Sequence, residues 1–121
     1  MQAPDFAQCI TASSGNVAAA TATATLPAVA GKTTYLSGLM ITGSGATAGL
    51  PVSVTVTGLA GGTMTFTYCA AAGVLVANTP LYIDFDPDMP GSAVNTAIVV
   101  TCPSLGAGNT NNTVSVWGYQ L

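Results

Sequence analysis

Three of the four carboxylates of this chain fall within five residues, in the stretch DFDPD, as Asp84, Asp86 and Asp88; the fourth is Asp5. Two kinds of chemistry could use such a cluster. Carboxylates with backbone carbonyls can hold a hard cation such as Ca²⁺, and a carboxylate pair can cleave glycosides. No EF-hand-like spacing and no suitably placed glycine follow. The favoured reading is therefore a solvated strand end whose charges keep a sheet edge from pairing. Asp84, Asp86 and Asp88 remain the only candidate metal ligands, and no cofactor is assigned. Histidine, arginine and glutamate are absent, and Lys32 is the single side-chain cation. A Ser-His-Asp or Cys-His arrangement is excluded by composition, so the chain is expected not to be an enzyme. One lysine cannot supply the electrostatic term that phosphate binding needs, so nucleic acid is not an expected partner.

The three cysteines, Cys9, Cys69 and Cys102, are widely spaced and form no CxxC. Without histidine no mixed zinc site is possible. They read as reduced thiols, two of them packed in strands as small hydrophobes. The alternative for Cys9 is a bridge to a neighbouring chain. Among the aromatics, Tyr35, Tyr82, Trp117 and Tyr119 could face outward and anchor a partner, since aromatics are enriched at interface hot spots. Phe6 and Cys9, near the N-terminus, join them as expected interface residues.

The elements that must position these residues follow from period-two alternation. In 16–27, Thr21, Thr23 and Thr25 alternate with alanines, which argues for a strand with short side chains on both faces. TTYLSGLMITG is a second strand. VSVTVTGL places Val52, Val54 and Val56 opposite Ser53, Thr55 and Thr57. The AGG that follows suits a hairpin turn. TMTFTYC alternates Met64, Phe66 and Tyr68 with threonines, PLYIDFD alternates again, and TAIVVTC is apolar enough for a central strand. TVSVWGYQL closes the chain. About seven short strands and no amphipathic helix predict an all-β antiparallel β-sandwich, jelly-roll or immunoglobulin-like. Residues 1–12, with Pro4 and no clear period, are expected to form an extended arm, and 13–121 the sandwich domain.

Charged residues make up 4% of the chain, and half of it is hydrophobic. An ordinary soluble protein is about 25% charged. No stretch reaches the roughly 20 apolar residues of a membrane-spanning helix; the longest, AAAGVLVA, contains Gly73, and no membrane partner is expected. MQAPDFAQC has neither a basic segment nor an apolar run, so it reads as no signal peptide, and synthesis in a bacterial cytoplasm is expected. The outward faces of these strands are threonine and serine. Such a face tolerates water, yet is easily dehydrated because no ion must be stripped of its shell. Charge is depleted in buried interface centres, so this surface suits burial against other protein.

At GKTTYLSGLMITGSGATAG, VTVTGLAGGTMTFTYCAAAGV, TPLYIDFDPDMPGSAVNTAIVVTCPSLGAGNT and VSVWGYQL, the chain resembles a group of small structural proteins of tailed bacteriophages. The resemblance covers most of the chain from Gly31 onward. It implies a virion protein that decorates or cements the phage head, is β-rich, and sits as a homotrimer on the major capsid protein. The alternative is a receptor- or glycan-binding module of a head or tail fibre, with Trp117, Tyr82 and the Asp84–Asp88 region lining its site.

Overall fold

The computed structural model describes residues 3–73 and 79–121. Val74 to Ala77 of the AAAGVLVA stretch, and the first two residues of the expected arm, lie outside them. The described residues form eight strands: β1 (Gln8–Ser13), β2 (Ala22–Leu26), β3 (Thr34–Ser44), β4 (Val52–Thr57), β5 (Met64–Tyr68), β6 (Leu81–Pro90), β7 (Ile98–Cys102) and β8 (Asn111–Gln120). They make two antiparallel four-stranded sheets, β1-β8-β3-β6 (sheet I) and β2-β7-β4-β5 (sheet II). Apart from the β4–β5 hairpin, every connection crosses from one sheet to the other. That order is the eight-stranded jelly roll.

Alternation builds the core. β2 buries Ala22, Ala24 and Leu26 and exposes Thr23 and Thr25. β4 buries Val52, Val54 and Val56, and β7 buries Ile98, Val100 and Cys102. Opposite them stand Leu36, Leu39, Ile41, Phe85, Val114 and Val116 of sheet I, all buried. The alanines of β2 let its backbone come close to β1 and β8 of the other sheet. β7 lies between β2 and β4, as its apolar run predicts.

Both ends of the sandwich are closed by amide side chains. At one end the Pro27 carbonyl accepts from Gln120 Nε2 at 2.8 Å and Thr34 Oγ1 at 3.0 Å. At the other, Asn112 Nδ2 donates to the carbonyls of Cys102 and Pro103, and Asn109 Nδ2 to that of Asn111 at 2.7 Å. These four polar side chains are buried, and each donates to a main-chain carbonyl at an end of the sandwich.

Three expectations change. The arm expected over 1–12 is shorter, because from Gln8 the chain is an edge strand paired to β8, Gln8↔Gln120 through Ser13↔Ser115. Ile10 and Ala12 face the core from it. The hairpin turn is longer than AGG: it runs over 58–63, with Gly58, Gly61 and Gly62 all at positive φ. A side chain at Gly58 would strike the Ala97 carbonyl, so the loop sits tightly against the start of β7. Cys69 is exposed just past β5 rather than packed in it; only Cys102 of the two strand cysteines is buried.

Candidate functional site

The two outer faces of the sandwich differ in chemistry. On sheet II the outward positions are Thr23 and Thr25 of β2, Val99 and Thr101 of β7, Ser53, Thr55 and Thr57 of β4, and Thr65 and Thr67 of β5, all exposed or half-buried. Register sets them in rows. Thr23 lies opposite Thr101, Thr101 opposite Thr55, and Thr55 opposite Thr65, so one row of threonines crosses all four strands. Directly opposed β-branched hydroxyl residues have Cβ atoms about 5 Å apart and support one another. None of these outward positions carries an ionisable group.

Sheet I presents aromatics and acids instead. One row reads Cys9, Tyr119, Tyr35 and Pro90 across β1, β8, β3 and β6; the next reads Thr11, Trp117, Gly38 and Asp84; the third Ser13, Ser115, Met40 and Tyr82. Tyr35, Tyr82, Trp117 and Tyr119, separated widely in sequence, thus share one face with Cys9. Tyr35 and Tyr119 stack with centroids 4.7 Å apart and planes at 13°. Tyr119 is only 6% exposed, so this pair is largely satisfied within the subunit. Tyr82 is 60% exposed and meets Trp117 at 5.7 Å and 32°. Phe6, in the turn before β1, is fully exposed at a positive φ of 67°. Cys9 is exposed on the edge strand.

Two features of this face are not visible in the sequence: the seat at Gly38 and the burial of Asp88. Gly38 lies under the Trp117 indole: a Cβ there would come 2.5 Å from Cζ2, 2.6 Å from Cε2 and 2.9 Å from the Ile83 carbonyl. Only glycine lets the indole lie over the β3 backbone. The second is Asp88. Between the pairs Leu36↔Met89 and Gly38↔Asp84 the register shifts, leaving 85–88 as a wide bulge opposite Ser37, with a cis Asp86–Pro87 bond. Asp84 and Asp86 stay exposed, but Asp88 is buried, and neither of its carboxylate oxygens has a hydrogen-bond partner. The Tyr119 phenol is close enough to feel it. Burial first, then the Asp88 charge and the Tyr35 phenol, push the Tyr119 pKa above its usual 10.0.

The three acids of DFDPD therefore do not converge: two point to water and one is enclosed. Among the described residues no group of three His, Cys, Asp or Glu side chains is placed to hold a metal ion. The described residues contain no helix long and apolar enough to cross a membrane. The one strongly shifted thiol is Cys102, inside the core, where burial pushes it up to about 11 against a lowering contact from Asn112. A thiol so shifted is a poor nucleophile at neutral pH. No protein family, curated protein or solved structure matches the chain.

Proposed function

We propose that this chain is a non-enzymatic structural protein of a bacteriophage virion that decorates or cements the head. It docks on the major capsid protein through the threonine face of sheet II and associates with its own copies, as trimers. The observation that carries the reading is the ion-free outer face of sheet II. Every outward position on four strands can be dehydrated without stripping a charge. The resemblance to small phage structural proteins supports the same role, and jelly rolls recur in viral capsid domains.

Size explains why copies matter. Four strands of five or six residues, at about 4.8 Å between strands and about 3.3 Å per residue, give a face of roughly 350 Å². A standard stable interface needs about 800 Å² per partner. One face is thus a weak contact, and linked copies on a repeating lattice would multiply it. Cys9, exposed on an edge strand, stands where a second chain could reach it.

Imaging of purified virions, with the copy number of this chain measured against the shell protein, tests the proposal. The expected result is density at regular lattice positions with the sheet II face turned to the shell. A chain absent from the particles, and monomeric without affinity for capsids when purified, would overturn it.

A further inference from the structure

We propose that the outer face of sheet I carries a shallow binding platform for neutral sugars, built from Trp117, Tyr82 and Asp84. This reading goes beyond capsid docking and does not rest on it. The platform and the threonine face lie on opposite sides of the sandwich, so both can be occupied at once.

The seating of Trp117 is the first argument. Strand side chains ordinarily stand roughly perpendicular to their sheet. Here the Cε2–Cζ2 side of the indole fills the space a side chain at position 38 would take. The ring is laid across β3, half-buried, toward β6. Tyr82 reaches it from β6, 5.7 Å away and inclined by 32°, while remaining 60% exposed. Together the rings form a surface spanning β8, β3 and β6. Two large rings held open in this way stand out against the outer face of sheet II, whose outward positions are threonines with Ser53 and Val99 and no aromatic.

Ligand chemistry follows from the groups present. Aromatic faces carry negative potential and attract weakly positive C–H groups. The flat face of a pyranose with equatorial hydroxyls offers such C–H groups, and its hydroxyls point sideways. Asp84 is in register with Gly38, on the same row as Trp117, and is exposed. Its carboxylate can accept hydrogen bonds from those hydroxyls. The chain has net charge −3 and a single lysine. Sialylated or uronic sugars would be repelled, which leaves neutral gluco- or galacto-configured units. Recognition of this kind combines apolar contact with a few placed polar groups.

Trp117 is the only tryptophan, so its emission reports on the platform directly. The full chain is titrated with lactose and with cellotetraose, and with sialyllactose as the charged comparison. A saturable change in emission is expected with at least one neutral probe, with a Kd on the order of 1 mM, and a weaker response to sialyllactose. Tyr82→Ala and Asp84→Asn, both at exposed side chains that leave the core intact, are each expected to weaken binding about tenfold. No saturable change with either neutral probe at about 10 mM, where such a site would be nearly full, overturns the proposal. So does binding left unaltered in both variants. If sugars leave the emission unchanged while Tyr82→Ala converts an oligomer to monomers, the platform is a protein contact and the proposal fails.

Discussion

The outer faces of the two sheets are built on the same alternation but filled differently. Sheet II repeats small uncharged side chains, threonine at all but Ser53 and Val99, across four strands, so any point on it resembles its neighbour. Sheet I interrupts that monotony with two aromatic pairs, a glycine seat, a bulge and an enclosed carboxylate. A uniform face without ions suits contact with a broad protein surface, where no single residue dominates. A face with oriented rings beside an acid suits a small, shaped ligand. The division of labour proposed here rests on that contrast, and it can be broken by moving charge from one face to the other.

Thr55→Lys is the most severe such move. It puts a cation at the middle of the threonine row, where docking would bury it unpaired. Binding to capsids should weaken at least about 100-fold, roughly 3 kcal/mol, as measured by co-sedimentation. Ser115→Lys, the matching substitution on sheet I, should leave capsid binding within about twofold. The opposite pattern would exchange the roles of the two faces. Gly38→Ala acts within sheet I alone. Its Cβ meets Trp117 and the Ile83 carbonyl, so either the indole or the strand must shift, at a cost of about 1–3 kcal/mol. Urea denaturation should show that loss together with a changed Trp117 emission. Unchanged emission would mean that glycine does not seat the ring.

How far the sequence anticipated this contrast differs between the faces. The sheet II face was legible because Thr23/Thr25, Thr55/Thr57 and Thr65/Thr67 each alternate locally with apolar residues, and local period is what a single sequence displays. β1 was missed because QCITAS offers only Ile10 and Ala12 to the core, and its pairing partner is β8, more than 100 residues away in the chain. The aromatics are legible as contact candidates, but their assembly into one face depends on register between β8, β3 and β6. Gly38 looked like an ordinary strand glycine, since the indole that requires it comes from another strand. Asp88 broke the alternation after Pro87, and only the bulge opposite Ser37 decides that it is enclosed.

Asp88 is where sheet I departs furthest from its counterpart, since sheet II encloses no acid. A buried carboxylate without hydrogen bonds is destabilising, and neutralising it should relieve the strain. Asp88→Asn keeps the shape and removes the charge. It should stabilise the fold by about 1–2 kcal/mol, a Tm rise of roughly 3–8 °C for a domain of this size. The same substitution removes one of the causes that raise Tyr119, so the phenol should titrate lower by ultraviolet difference spectroscopy. A drop in Tm would mean that Asp88 is held by interactions stronger than its near approach to Tyr119.

The smallest effect is silent at neutral pH and separates the two layers by titration. Cys102, beneath the threonine face, is raised from 9.0 to about 11 by burial, and Tyr119, within the aromatic face, is raised above 10.0. In both cases the folded protein holds its proton to higher pH than the unfolded chain. The resulting stability is therefore complete below the unfolded pKa and lost as pH climbs through the folded one. For Cys102 the window is about pH 9–11; for Tyr119 it opens above pH 10. Tm should be flat from pH 6 to 8.5 and then fall. Cys102→Ser, which cannot titrate there, should flatten the first part of that fall whatever it does to Tm at neutral pH. Tyr119→Phe should flatten only the later part. If Cys102→Ser leaves the slope between pH 9 and 11 unchanged, the thiol is not the group that the core holds protonated, and the alkaline limb belongs to the tyrosines alone.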